Sequence, residues 1–121
     1  MSGLAAQAEW LASGAAYGGP AQKRAACYFT NISPNTSLVL QTGPTITNNN
    51  GVGQTLVIDE CKDILNLVIP AEKTCGIAAD IANNAVYSCQ TRVADGDAIN
   101  LRATLEFRDT SENVLRSIEL R

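Results

Sequence analysis

The strongest constraint on the fold is an alternation of apolar and polar residues between positions 99 and 108. Successive side chains of a β-strand point to opposite faces, so this segment predicts a strand with one buried and one solvated face. A second alternation covers residues 87–93. The two predicted inward sets are Ile99, Leu101, Ala103, Leu105 and Phe107, and Tyr87, Cys89, Thr91 and Val93.

From residue 25 onward, short apolar or β-branched runs alternate with turn signals, and no helical period persists. Asp95-Gly96 predicts a tight hairpin. The nearly continuous apolar run 64–69 predicts a central strand, or an edge strand against a second sheet. Residues 75–82 fit a strand with a loop or one helical turn, because Ile77 and Ile81 are four apart. Residues 44–47 lead into a tight turn at 48–51. The predicted strands are 25–31, 37–41, 54–59, 64–69, 75–82, 87–93, 99–107 and 113–121.

The last two runs predict a hairpin with a four-residue turn at 109–112. This register turns Val114, Ile118 and Leu120 inward. Arg116 then falls on the inner face opposite Leu105, which is tolerable near a sheet edge because a long side chain reaches solvent there. The predicted pairs are Arg108 with Asn113, Phe107 with Val114, Ala103 with Ile118, Leu101 with Leu120, and Arg102 with Glu119.

Four cysteines, Cys27, Cys61, Cys75 and Cys89, form no close pair of the kind that zinc sites use. An even number in a small domain predicts two disulfides and hence an oxidising compartment. Four buried free thiols in a cytosolic protein are the alternative. A turn at Asn83-Asn84 would place Cys75 opposite Cys89, which favours the pairs Cys75–Cys89 and Cys27–Cys61.

Residues 1–24 are rich in Ala and Gly and form a predicted N-terminal arm or leader remnant, ahead of a domain at 25–121. Residues 6–8 (Ala-Gln-Ala) fit a small-residue cleavage site, although no basic residue precedes them. Trp10 and Tyr17 would dock the arm on its own domain or on a neighbour. No apolar run reaches the length of a transmembrane span.

Composition excludes several classes of function. The chain has no histidine, which removes Ser-His-Asp and Cys-His nucleophile pairs and the commonest metal ligand. The net charge of -3 argues against binding to nucleic acid. We therefore expect a non-enzymatic protein without a cofactor or metal.

Four groups of residues have both a functional and a structural interpretation. Asp95-Gly96-Asp97 resembles part of a Ca²⁺ loop, but a plain turn is favoured. The acidic cluster Asp59, Glu60 and Asp63 suits a metal site, a carboxylate-based enzyme or a solvated loop, the last being favoured. The third set is the N-glycosylation patterns at Asn31 and Asn35. The fourth is the aromatic residues Trp10, Tyr17, Tyr28 and Phe29, which suit a sugar-binding face, although core packing is favoured for Tyr28 and Phe29.

Residues 85–89 (Ala-Val-Tyr-Ser-Cys) resemble the A-x-Y-x-C run on the sixth strand of immunoglobulin variable domains. The resemblance implies a β-sandwich in which Tyr87 forms a corner and Cys89 pairs with a cysteine about where Cys27 lies, 62 residues earlier. The tryptophan of that family is missing, since the single tryptophan is Trp10. The stretch from Ala26 to Arg121 also resembles small exported bacterial proteins of unassigned function, which implies export.

These observations predict an all-β, immunoglobulin-like antiparallel β-sandwich of seven to eight short strands with two disulfides. The expected function is protein–protein interaction or assembly, in a secreted, periplasmic or cell-surface protein. Its partners would be other proteins or copies of itself, reached through residues 1–24, which could add a strand to a neighbouring sheet. A small carbohydrate-binding, lectin-like module is the alternative.

Overall fold

The computed structural model describes residues 8–94 and 96–120, with the side chains of Ala8 and Glu9 outside the description. This part of the chain is all-β, with one helical turn, α1 (Glu60–Asp63), and one 3-10 helix (Asp97–Asn100). Its nine strands are β1 (Ala8–Ala12), β2 (Arg24–Asn31), β3 (Leu38–Asn48), β4 (Ile58–Asp59), β5 (Val68–Ile69), β6 (Thr74–Asp80), β7 (Tyr87–Ala94), β8 (Leu101–Arg108) and β9 (Val114–Glu119).

The strands form two antiparallel sheets, one in the order β1-β7-β3-β5 and the other in the order β4-β6-β2-β8-β9. Their inward side chains share one apolar core, as in a β-sandwich. None of the helices within the described residues has the length and hydropathy needed to cross a bilayer.

The alternation of residues 87–93 and 101–107 is confirmed. The inward set of β7 and the inward residues of β8 are all 5% exposed or less, because they lie between the two sheets. Ile99 was predicted to belong to the same inward set, and this is wrong. It lies in the 3-10 helix before β8 and is 73% exposed.

The predicted disulfide pairing is wrong: the bonds are Cys27–Cys89 and Cys61–Cys75. The prediction placed residues 75 and 89 in one hairpin, whereas β6 and β7 belong to different sheets and residues 81–86 cross between them. The Cys27–Cys89 bond joins β2 to β7 across the core, as the immunoglobulin resemblance implies. The hydroxyl of Tyr87 accepts a hydrogen bond from the Ala82 N–H at 2.9 Å, which is the corner contact implied by the same resemblance.

The predicted hairpin at Asp95-Gly96 is also wrong. Asp95 lies outside the described residues, and Gly96 has a φ of 89° and precedes the 3-10 helix. Because β7 and β8 lie in different sheets, this connection passes from one sheet to the other. An Asp-Gly pair marks a sharp change of chain direction but does not determine which strand comes next.

The apolar run 64–69 forms a strand only at Val68–Ile69. Before it, the chain turns at Asn66 and Leu67, which have φ values of 52° and 64°. Ile64 is 72% exposed as a result. Similarly, only Ile58–Asp59 of the predicted strand 54–59 forms a strand. Of the predicted segment 75–82, residues 75–80 belong to β6, so the strand alternative is confirmed for them, and residues 81 and 82 lie in the connection that follows.

The β8–β9 register differs from the prediction by two residues. Leu105 is opposite Ile118 and Phe107 is opposite Arg116, and an irregularity in the pairing lies between Phe107 and Arg108. Val114 is consequently half-exposed instead of buried, whereas Leu120 is buried. As the outermost strand of its sheet, β9 holds Arg116 in solvent, where its guanidinium donates to the Tyr17 carbonyl at 3.1 Å.

Residues 8–24 pack on their own domain. Strand β1 pairs with β7, and Ala16 continues the pairing opposite Tyr87. The fully buried Gln22 then ties the segment to the 81–86 connection, because its amide donates to the carbonyls of Ala82 and Ala85 at 2.7 and 2.8 Å.

Candidate functional site

The structure forms a shallow cavity of about 110 Å³ on the outer face of the five-stranded sheet, near its β4 edge. Gly76 and Ala78 on β6 form the floor, and their small size leaves space above the backbone. Tyr28 on β2, Ile58 on β4 and Glu60 on α1 form the walls. We call this cavity, which Ile77 also lines, the Tyr28–Glu60 groove.

Glu60 is held in the groove by three local features. The side chain of Asp59 caps α1 by accepting the Lys62 N–H at 3.0 Å. The Cys61–Cys75 disulfide ties α1 to β6, with the two Cα atoms 5.0 Å apart. Next to it, Oε1 of Glu60 accepts the Gly76 N–H at 2.8 Å.

Gly76 permits the close approach of an aromatic ring and a carboxylate. A Cβ atom at this position would lie 3.0 Å from Cδ1 of Tyr28 and 3.1 Å from Oε1 of Glu60. Both groups therefore converge on the same point above the β6 backbone. Such a pair can receive a cation, because the carboxylate and the ring both attract positive charge.

Exposed apolar and acidic residues neighbour the groove-lining residues Ile58 and Glu60 in the sequence. Val57 and Ile58 are about half-exposed, and Ile64 lies one helical turn after Glu60. Asp63 adds an exposed carboxylate, with Lys62 as the neighbouring cation. The predicted acidic cluster thus splits into a helix cap, a groove wall and a surface charge. Within residues 8–94 and 96–120, no group of three His, Cys, Asp or Glu side chains could hold a metal ion.

At the other end of the same outer face, the charged residues neutralise one another. Arg24 contacts Asp80 at 3.2 Å, and Arg108 contacts Glu106 at 2.9 Å. The hydrogen bond that the Arg108 guanidinium donates to Glu106 raises the pKa of Arg108. Glu112 lies between the two arginines. These paired charges stabilise the surface and leave Glu60 as the carboxylate that faces the groove.

The four aromatic residues considered for a sugar-binding face are separated from one another in the structure. Phe29 is fully buried in the core, and Tyr28 faces the groove. Tyr17 is partly exposed, and its hydroxyl donates to the Asn83 carbonyl at 2.9 Å. Trp10, 52% exposed, lies on the outer face of the other sheet beside Arg92.

The first predicted glycosylation position is a core residue. Asn31 is fully buried, its amide donates to the carbonyls of Thr36 and Ile69, and its Oδ1 accepts the Ser33 N–H. These hydrogen bonds fix the 31–36 loop, and they leave no space for a glycan on Asn31 in the folded domain. Asn35 in the second pattern is exposed.

Sequence reasoning missed Gly76 and Arg92. The signal for Arg92 is present, because the alternation of residues 87–93 turns it away from the core. Gly76 gains its role only through its position opposite Tyr28, which depends on the β2–β6 register. No protein-family model, curated protein or solved structure matches the chain, so the interpretation rests on this geometry.

Proposed function

We propose that the protein is a non-enzymatic, exported β-sandwich module that binds another protein by receiving a basic side chain in the Tyr28–Glu60 groove. The observation that carries this proposal is the convergence of the Tyr28 ring and the Glu60 carboxylate above Gly76. A lysine ammonium would pair with Glu60 and contact the ring, while its alkyl stem would lie on Ile58.

The location of the groove favours an extended segment of the partner. The adjacent strand β4 has two residues and is the outermost strand on this side of the sheet. A peptide aligned along this edge can bind backbone groups while one of its side chains enters the groove. The half-exposed side chain of Ile58, which lines the groove, supplies an apolar contact there.

Export is supported by the two disulfides, since such bonds persist in oxidising compartments. A secreted, periplasmic or cell-surface location is part of the proposal. Assembly by donation of the N-terminal segment to a neighbouring molecule is not part of the proposal, because residues 8–12 already pair with β7 of their own chain.

Peptide binding tests the proposal. The probe is a labelled ten-residue peptide of alternating Val and Thr with one central Lys, compared with peptides that carry norleucine or Glu at that position. Fluorescence anisotropy should give a dissociation constant below about 1 mM for the Lys peptide and binding about tenfold weaker for the norleucine peptide. The norleucine side chain keeps the alkyl stem and lacks the charge.

Glu60→Gln should weaken binding of the Lys peptide about tenfold while leaving the norleucine peptide unchanged. Gln retains an oxygen that can accept the Gly76 N–H, so the loss reports the charge. Glu119→Gln, on β9 of the same sheet, is the matched control and should bind like the wild type. Equal affinity for the Lys and norleucine peptides, or an unaffected Glu60→Gln variant, would refute the proposal.

A further inference from the structure

The outer face of the four-stranded sheet carries a second surface, distant in the fold from the Tyr28–Glu60 groove. The alternation that turns Cys89, Thr91 and Val93 inward turns Ser88, Gln90 and Arg92 outward. Trp10 on β1 and Thr45 on β3 flank them. We call Trp10, Arg92, Gln90, Thr45, Thr47 and Ser88 the Trp10 face.

The register of the strands orders this face into rows. Trp10 is directly opposite Arg92, and Ala12 is directly opposite Gln90. On the other side of β7, Gln90 is opposite Thr45. In the next row, the hydroxyls of Thr47 and Ser88 are 2.8 Å apart. Because Ala12 is small, it leaves the space beside Trp10 uncovered along β1.

Arg92 is a cation without a counter-charge in the described part of the chain. Its Cζ lies 5.5 Å from the centroid of the Trp10 ring, a cation–π contact. Its Nε is buried and has no hydrogen-bond partner among the described residues. A buried donor left unpaired is costly, and a guanidinium edge matches a carboxylate through two parallel hydrogen bonds. The modest side-chain rotation that commonly accompanies binding would present this edge to a ligand.

We propose that the Trp10 face binds an acidic glycan, with the carboxylate of a uronic acid residue on Arg92 and a sugar ring against Trp10. Arg92, Gln90 and Ser88 lie on β7, whose backbone is paired with β1 on one side and with β3 on the other, so recognition at these positions depends on side chains. An aromatic ring, a guanidinium, an amide and hydroxyls match the C–H face, the carboxylate and the hydroxyls of such a sugar. A peptide would leave the aromatic ring and the row of hydroxyls with fewer complementary groups.

Calorimetry on the full chain tests this proposal with hexamers of galacturonic, glucuronic and mannuronic acid. Their methyl esters and a hexaglutamate peptide are the matched ligands. The fluorescence of Trp10 gives an independent readout at the site, because it is the single tryptophan. We expect at least one hexauronate to bind with a dissociation constant below about 1 mM, and its ester to bind about tenfold more weakly.

Arg92→Lys keeps the charge and loses the planar fork, so it should weaken binding of the hexauronate about fivefold or more. Trp10→Ala should also weaken binding of the hexauronate about fivefold or more. An unchanged thermal unfolding curve would show that this variant is still folded. Arg102→Lys, on the outer face of the other sheet, is the matched control and should bind normally. Failure of all three hexauronates to bind, equal binding of hexaglutamate, or an unaffected Arg92→Lys variant would overturn the proposal.

Discussion

The two disulfides should contribute unequally to the free energy of unfolding. Cys27→Ala with Cys89→Ala removes the bond between the sheets, and Cys61→Ala with Cys75→Ala removes the bond between α1 and β6. All four cysteines are at most 1% exposed. The packing lost with two buried sulfur atoms is therefore similar in both variants and largely cancels when they are compared.

The difference follows from the length of chain that each bond closes. The bonds join residues 62 and 14 positions apart. In the chain-entropy relation, a cross-link stabilises by restricting the unfolded chain, which corresponds to about 4.3 kcal/mol for the longer loop and about 3.0 kcal/mol for the shorter one. Because small domains are stable by only about 5–15 kcal/mol, the first variant should lie near the limit of stable folding.

Urea unfolding followed by circular dichroism and by Trp10 fluorescence measures this difference. Trp10 is a suitable reporter because β1 pairs with β7, which carries Cys89. The free energy of unfolding should fall in the order wild type, Cys61→Ala/Cys75→Ala, Cys27→Ala/Cys89→Ala, with about 1.3 kcal/mol between the two variants. Equal losses of unfolding free energy in the two variants, or a larger loss in Cys61→Ala/Cys75→Ala, would refute the reasoning.

Three further predictions concern single residues. Asn31→Ala should lower the free energy of unfolding by about 3 kcal/mol in urea titrations, because it leaves buried backbone groups without partners. Gly18→Ala should cost about 1–3 kcal/mol, because the added methyl group would overlap Phe107. By contrast, Gly14→Ala, whose Cβ meets nothing within 4 Å, should stay within about 0.5 kcal/mol of the wild type. The pKa of Asp109 is lowered mainly by the backbone N–H of Asn113, so its contribution to stability should be complete above about pH 4 and be lost as the pH falls through the lowered pKa. The difference between wild type and Asp109→Asn, measured by thermal unfolding at several pH values, should therefore be present at pH 7 and shrink in acid.

The parts of the fold that sequence predicts well are strands with one buried face. In β7 and β8 the period of two survives because every second side chain enters the same core. The immunoglobulin resemblance also implied a partner for Cys89 near the position of Cys27, and the structure has this bond, although the predicted pairing was Cys75–Cys89 with Cys27–Cys61.

The neighbours of each strand were harder to predict. The turn signals at Asn83-Asn84 and Asp95-Gly96 mark changes of direction, yet both connections cross between sheets. The same turn residues suit a hairpin and a connection that crosses between sheets. The predicted disulfides were wrong because they assumed a hairpin between residues 75 and 89. The groove was equally hidden, because Glu60 is visible in the sequence whereas its relation to Gly76 and Tyr28 depends on long-range pairing.

The bond between Cys27 and Cys89 also changes how the molecule would carry a mechanical load. Tension applied between residues 8 and 120 passes from β2 directly to β7 through this covalent link. The chain between the two cysteines is then shielded, and about 200 Å of its contour length stays unavailable for extension at roughly 3.3 Å per residue. Only the segments before Cys27 and after Cys89 can be extended while the bond is intact. Reduction of this bond would therefore increase the length to which the chain can be stretched.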